Sequence, residues 1–451
     1  MEILYSTESV PEMRTICFGD LALTDPLKLR QFFRREGKTG QEDVQILLDM
    51  PECAGKKAEK LADLIVISLY EGAYRFQKEC LKEWDAERIF TDRDKMADYG
   101  GRTITLVSET DLRGSILKAQ QAAYCMGYAR TLGNLPHNYL QIPDMVRYAQ
   151  DMAASCGLTC TVYGDRALRE LGCGGILAVN QGSDNEAALV MLEWGSQKTE
   201  DKIALVGKGL MFDAGGYHLK SLDGMNGMKF DMCGAANMLE SMEIAAKSDY
   251  PGPLLCVLGL AENLISPKAV KMGDVVSMLS GSTVEVYNTD AEGRLVLGDA
   301  LTFAQRLGAV KVIDLATLTG GTHSALGDET VGIFSNHEDI YGMFEKSMKA
   351  VGERCWRLPL GEIYRQALCW SDTADLANYA PGFGAAGSTG AAFLEFFIEP
   401  GTQWVHLDVV GPASARSESE ERTKGATDVC MSAIRKWLEI QLSGGQDEFY
   451  I

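Results

Sequence analysis

The stretch Asn288-Thr289-Asp290-Ala291-Glu292-Gly293-Arg294-Leu295 sets two carboxylates and a guanidinium at alternate positions beside a glycine. Such a cluster can hold metal ions and an anion together. In an extended chain alternate side chains share a face, so Asp290, Glu292 and Arg294 would converge, whereas a helix would splay them. The same residues also read as a helix start. Thr289-x-x-Glu292 is a capping box ahead of the apolar run Leu295, Leu297, Ala300, Leu301 and Ala304. Both readings hold if the chain is extended through the acids and helical after Arg294.

A second segment strengthens the chemistry. The apolar strand Ile203 to Val206 is followed by Gly207-Lys208-Gly209-Leu210-Met211-Phe212-Asp213 and, further on, Lys220 and Asp231. It is expected to break after Val206 into a glycine-rich loop at the carboxyl end of a strand, where open α/β sheets bind their ligands. An ordinary solvated loop with surface charges is the alternative. Phosphate cradling is disfavoured, because Gly207-Lys208-Gly209 lacks both the Gly-x-Gly-x-x-Gly pattern and the Gly-Lys-Ser/Thr ending. Together the two segments supply four acids, two lysines and one arginine. Two divalent cations about 3.5–4 Å apart, bridged by carboxylates, could polarise a carbonyl and deprotonate a water. A lysine can join such a centre as a neutral amine, which neighbouring dications favour. Zinc or manganese suits that donor set better than calcium or magnesium.

At this point the residues resemble the leucyl aminopeptidase, or cytosol aminopeptidase, family of two-metal exopeptidases. The octapeptide Asn288 to Leu295 matches the family signature, and Lys208, Asp213, Lys220 and Asp231 stand in its order and spacing. Asn134-Leu135-Pro136-His137-Asn138 with Pro143, Asp314 to Gly320, Trp356 to Leu360, Asp375 to Asn378 and Trp404 to Asp408 are further landmarks. The resemblance implies that Lys208, Asp213, Asp231 and Glu292 hold one metal and that Asp213, Asp290 and Glu292 hold a more exchangeable one. It implies that Lys220 stabilises the oxyanion formed by attack of a two-metal-bound hydroxide, and that Arg294 holds a bicarbonate proton shuttle near Leu318 and Gly320. Met228, Thr317 and Gly320 align with the pocket for the first side chain, although Met228 also reads as ordinary core packing. Peptides with a free amino terminus are the implied substrates, the cytoplasm the location and a homohexamer the assembly.

The chain departs from the family pattern at Met211, Ala214, Ser221 and Cys233, and Gly425 to Cys430 replaces a usual Gly-Phe-Gly continuation. Ser221, where proline is common, predicts a looser loop. These changes leave the preferred first residue open. The alternatives are another two-metal hydrolase, such as a phosphoesterase, and a non-catalytic scaffold or DNA-binding regulator on the same fold. Phosphoesterase sites lean on histidine, and this chain has five, of which only His218 falls in the segment. A net charge of −20 argues against nucleic acid as a partner. The amino terminus carries acids where an export signal needs positive charge. No apolar run is long enough to span a membrane. Twelve cysteines without a Cys-x-x-Cys pair fit buried free thiols in a reducing cytosol.

The fold that must position these groups reads as α/β, with a small amino-terminal α/β domain over residues 1–155, including a linker helix, and a larger catalytic domain over 156–451. In the first, Ile104 to Val107 reads as a strand, Leu61 to Phe76 as a helix, and Leu112 to Leu132 as the linking helix. In the second, strands are expected at Ile176 to Val179, Ala188 to Leu192, Ile203 to Val206, Leu254 to Leu258, Val284 to Val286, Val312 to Leu315 and Val405 to Leu407. Helical runs between them predict a mixed sheet flanked by helices. The tail Gly444 to Ile451 reads as frayed.

Overall fold

The structure, a computed structural model, describes residues 1–18, 25–48, 55–195 and 201–442. The tail read as frayed lies outside them. A four-stranded parallel sheet holds β1 (Glu2–Ser6), β2 (Arg14–Cys17), β3 (Val44–Leu47) and β4 (Thr103–Val107) in the order β1-β4-β3-β2. Helix α1 (Pro26–Thr39) starts where the Asp25 side chain accepts from the Leu27 amide, ahead of a first-turn proline. Helix α2 (Lys56–Ala73) stops short of the expected Phe76, because Phe76 pairs with Ala97 in a small antiparallel ladder. The two helices cross on glycines: a Cβ on Gly37 would lie 2.1 Å from Leu69 O, and one on Gly72 would lie 1.9 Å from Arg34 O. Helix α3 (Arg113–Asn134) follows the predicted linking run closely. It buries Ile116 to Ala129 with the first sheet's core and Leu132 with the next one.

The second sheet has eight strands: β5 (Thr159–Tyr163), β6 (Ala188–Trp194), β7 (Lys202–Asp213), β8 (Leu254–Asn263), β9 (Ala309–Ala316), β10 (Val331–Ser335), β11 (Cys355–Arg357) and β12 (Gln403–Asp408). Their order is β11-β10-β12-β9-β7-β8-β6-β5. The central strands β12, β9, β7 and β8 run parallel, and antiparallel pairings join β10 and β6 to them. Both faces are covered, so alternate residues of β8 enter different cores. Leu254, Cys256, Leu258 and Leu260 join one, and Leu255, Val257 and Ala261 the other. Helices α4 (Ile142–Cys156), α6 (Cys233–Lys247) and the carboxyl-terminal Met431–Leu442 lie on the first face, while α5 (Gly174–Asn180) and α7 (Gly293–Arg306) lie on the second.

Two expectations are corrected here. Ile176 to Val179 is helical, within α5, whose Ile176 amide donates to Asp299 Oδ2 at 3.0 Å. A short apolar run cannot by itself separate strand from buried helix. The Ile203 strand does not break after Val206 but continues as β7 to Asp213. Gly207 and Gly209 are there for packing rather than for a turn: a Cβ on Gly207 would lie 2.7 Å from Ala235 Cα, so glycine lets α6 approach the sheet.

Charges bind the two sheets' elements together. Arg30, 1% exposed, pairs with Glu71 on α2 and reaches Glu353 Oε1 at 2.9 Å and Val351 O at 2.9 Å. Arg34 Nε also meets Glu71 at 2.6 Å. Burial would raise the Glu71 pKa, but Arg30 and Arg34 outweigh it and hold the carboxyl far below the usual range. Glu71→Leu leaves two guanidiniums short of an anion and should cost about 3–5 kcal/mol, read by denaturant unfolding. With its folded pKa depressed, Glu71 contributes fully above the unfolded value of about 4.3 and loses that contribution as pH falls below it. The destabilisation should therefore shrink in acid.

Candidate metal centre

The sequence-predicted acids and lysines meet at the carboxyl ends of β7 and β8. Lys208, 2% exposed, runs beneath the first turn of α7, where a Cβ on Gly293 would lie 2.3 Å from Lys208 Cε. Its Nζ donates to Asp231 Oδ1 at 2.6 Å and Thr317 O at 2.7 Å, and lies 3.7 Å from Glu292 Oε1. Asp231 follows a short turn, Met228–Phe230, just before α6, and its Oδ1 also accepts from Thr317 Oγ1 at 2.7 Å. Asp213 ends β7, and its Oδ1 accepts from the Gly215 amide and Asn263 Nδ2, both at 2.8 Å. Lys220 Nζ lies 2.8 Å from Asp213 Oδ2 and 2.6 Å from Asp290 Oδ1. Gly215 and Gly216, at φ +86° and +61°, turn the chain sharply after the strand.

The route by which Asp290 and Glu292 arrive differs from both sequence readings. Residues 289–290 form a turn rather than an extended strand, with the Asp290 amide donating to Asn288 Oδ1 at 2.8 Å. Helix α7 begins at Gly293, one residue before Arg294, and Glu292 at its N-cap makes no side-chain capping bond. Thr289 is engaged elsewhere: its hydroxyl donates to Gly215 O at 2.6 Å and accepts from the His218 amide at 2.8 Å, tying the two ligand segments together. Ser221, expected to loosen its loop, caps the turn Leu222–Met225 by accepting from the Gly224 amide.

Asn378 is the residue that motif reasoning missed. Its Oδ1 accepts from the Tyr287 and Asn288 amides at 2.9 and 3.1 Å, and its Nδ2 donates to Asn288 O and Ala291 O at 2.7 and 3.1 Å. Its own carbonyl accepts from Arg294 Nη1 at 2.8 Å. One amide thus shapes the turn carrying Asp290 and Glu292 and anchors Arg294. The only signal in the sequence was its place in the Asp375 to Asn378 landmark. Asn378→Ala should cost about 10–100-fold in metal affinity or kcat/KM, the usual scale for residues that orient ligands. Manganese titration beside steady-state kinetics checks it.

Buried acids outnumber buried lysines here, and the acids' pKa values show it. Burial and then Asp213 push Glu292 up to about 8. Burial pushes Asp231 up to about 6 against the pull of Lys208. For Lys208 burial works against the charge, but Asp231, Glu292 and Asp213 overcome it and raise its pKa. One oxygen each of Asp213, Asp231 and Glu292 lies within 4.8 Å of the others. Asp231 Oδ2 and Glu292 Oε2 are buried without a hydrogen-bond partner among the described residues. Such a donor set fits a divalent cation, which would satisfy both oxygens and keep the acids ionised.

The remaining predicted residues lie around this cluster. Arg294 is 4% exposed, its pKa pushed down to about 10 by burial, and its Nε has no partner among the described residues. The Leu318 amide donates to Asp408 Oδ1 at 3.2 Å, and Gly320 opens the exposed start of helix α8 (Gly320–Leu326). Met228 is half-buried and belongs to none of the three hydrophobic cores of the described residues. His218 is exposed. Asp314 lies below the site, accepting from Trp404 Nε1 at 2.6 Å and paired with His406 Nδ1 at 2.5 Å.

An acid and lysine cluster at the strand ends of a mixed, helix-covered sheet fits a metal-dependent hydrolase. The catalytic domain of the cytosol aminopeptidase family matches residues 127–434. The probable cytosol aminopeptidase of Bacillus subtilis is 43% identical over 392 residues, 86% of this chain and 74% of its own. That of Chlorobaculum tepidum is 39% identical over 393 residues, 85% and 76% of the two chains. The bottromycin maturation enzyme BotP superposes with a TM-score of 0.80 at 29% identity, over 93% of this chain and 88% of that one. The chain belongs to the cytosol aminopeptidase family and is a metal-dependent aminopeptidase of the leucyl aminopeptidase type. Among the described residues no helix is long and apolar enough to cross a membrane, and every described cysteine is a free thiol.

Proposed function

We propose that this chain releases amino-terminal residues, leucine-like ones among them, from peptides with a free α-amino group. The observation that carries the proposal is the convergence of Asp213, Asp231 and Glu292 oxygens within 4.8 Å beside two lysines. Lys208, Asp213, Asp231 and Glu292 would hold one divalent ion, and Asp213, Asp290 and Glu292 a second. When bound, the two ions polarise the scissile carbonyl and lower the pKa of a water. Manganese is favoured over zinc by a second BotP structure, which is a complex with Mn.

The protein's own groups supply the rest. Lys220, half-exposed at the rim of the carboxylates, places a positive charge where the carbonyl oxygen becomes an oxyanion. Arg294, whose Nε has no partner among the described residues, would hold the bicarbonate that shuttles the proton in place of a side-chain base. Met228, Thr317 and Gly320 border the pocket for the first side chain, with Leu318 and Gly320 beside the anion. Thr317 has a second task, since its hydroxyl and carbonyl hold Asp231 and Lys208. The proposed division into residues 1–155 and 156–451 is supported by the first sheet, whose last strand ends at Val107, and by the second, which starts at Thr159. A cytoplasmic homohexamer is the proposed form, on the strength of the family and the relatives' names. Net charge −20 speaks against the DNA-binding alternative.

The test is release of leucine from Leu-Gly and from acetyl-Leu-Gly by manganese- or zinc-loaded protein, with a chelated control. Metal-dependent cleavage of the free-amine peptide alone is expected. Absence of cleavage across several first residues and both metals would leave a binding or regulatory protein on this fold.

A further inference from the structure

Two of the departures from the family pattern, at Cys233 and at Gly425 to Cys430, meet at the carboxyl end of α3. A Cβ on Gly133 would lie 2.7 Å from Ala426 Cβ and 2.9 Å from Cys233 Sγ, and one on Gly425, at φ +116°, would overlap Asn134 Oδ1. Glycine at both positions lets the neighbouring segments close on the last turn of the helix. Asn134, 6% exposed, ends α3 and is held on two sides. Its Oδ1 accepts from the Ala426 amide at 2.9 Å, and its Nδ2 donates to Tyr74 Oη, one residue past α2, at 3.3 Å. The Arg130 guanidinium covers the Tyr74 ring, 4.0 Å from its centroid.

The Asn134 carbonyl belongs to the last turn of α3, where no intrahelical amide remains to bond it. Lys229 Nζ donates to it at 2.6 Å, and a cation is favoured at a helix carboxyl end. This cation comes from the short turn Met228–Phe230, entered through Gly227 at φ +95°. Lys229 is half-buried, with Nζ 5.0 Å from the centroid of the Phe230 ring.

The turn lies between two residues of the proposed site, and they are held differently. Asp231 is fixed from outside the turn by Lys208 and Thr317, at 2.6 and 2.7 Å. Met228 lies in none of the three hydrophobic cores of the described residues. Phe230 packs on the core that α6 shares, but among the described residues Lys229 makes the turn's one side-chain hydrogen bond to another segment.

We infer that Lys229 is a positioning residue that sets the pocket for the first side chain by fixing the Met228 turn to the carboxyl end of α3. The inference rests on the proposed place of Met228 in that pocket. It gives the amino-terminal elements a part in specificity, because Tyr74 steadies the asparagine on which Lys229 is anchored. A leucine side chain needs the depth of the pocket, and an alanine methyl does not.

The test compares kcat and KM on Leu-Gly and Ala-Gly for the manganese-loaded parent, Lys229→Met, Met228→Ala and the double variant, beside manganese titration. In Lys229→Met the ratio of kcat/KM on Leu-Gly to that on Ala-Gly is expected to fall at least about fivefold, through KM for Leu-Gly, within the range of a lost apolar pocket contact. Manganese affinity is expected to stay at the parent value, because Asp231 keeps Lys208 and Thr317. In the Met228→Ala background Lys229→Met should alter the ratio no further, the mark of a residue acting through Met228. Equal losses on both peptides, a ratio that stays or rises, or the same fall with Met228 already gone overturns the inference and leaves Lys229 as a cap for α3. Should Lys229→Met fail to fold, Lys229→Gln, one bond too short to reach Asn134, takes its place. No hydrolysis of either peptide by the parent overturns the proposed function and this inference with it, whereas hydrolysis by the parent with an unchanged ratio in the variant overturns this inference alone.

Discussion

Lys220→Ala is expected to lower kcat on Leu-Gly by about 10²–10³-fold, the scale for losing one donor to a developing oxyanion. The proposed role requires kcat and kcat/KM to fall together, since the interaction grows in the transition state. Lys220 also lies 2.8 Å from Asp213 and 2.6 Å from Asp290, so a second effect follows. Without metal, removing this cation leaves two carboxylates in mutual repulsion, and the chelated variant should melt below the chelated parent. With metal bound, the melting temperatures should lie close together. Full activity in Lys220→Ala would end the assignment.

Asp213→Asn should be more damaging to activity and yet harmless to the metal-free fold. Asp213 stands between both proposed metal positions, and its neutral amide removes charge from each, so turnover should fall by more than about 10³-fold and metal stoichiometry should drop below two ions per chain. In the metal-free protein the same carboxylate is a source of repulsion, since it helps push Glu292 up to about 8 and opposes the ionised form of Asp231. Asn at 213 keeps the shape and can still accept through its carbonyl oxygen from Gly215 and Asn263, while its Nδ2 takes the place of Oδ2 and Lys220 turns to its other partner, Asp290. The chelated variant should therefore unfold at the same temperature as the parent or higher, the pattern of a site that gives up stability for function. Calorimetry with and without manganese, beside metal analysis, reads both effects. A large loss of stability in the chelated variant would mean that Asp213 serves the fold instead.

Much of the architecture was legible in residue order. The strands at Ala188, Leu254, Val312 and Val405 and the linking helix appear within a few residues of their expected places, because buried strands and long helices keep a strong local pattern. The failures came where a local signal had a distant cause. Gly207 and Gly209 looked like a loop but sit inside β7, because α6 presses on that strand from residues well downstream. Ile176 to Val179 looked like a strand but coils against α7, whose Asp299 takes the Ile176 amide. Thr289 and Glu292 looked like a capping box, but Gly215 and His218 claim the threonine hydroxyl.

The same division runs through the site. The sequence by itself put forward the proposed cast: Lys208, Asp213, Lys220, Asp231, Asp290, Glu292 and Arg294, in the order and spacing expected of a two-metal aminopeptidase. Donor types follow from the chemistry of the ions, and that chemistry is written in side-chain identity. Only the tertiary structure decided how the cast meets. The turn at Thr289, the four hydrogen bonds of Asn378 and the amide of Asn263 all join residues far apart in the chain. Such contacts depend on which strands lie side by side and which helices press on them, and no local pattern of residues records that.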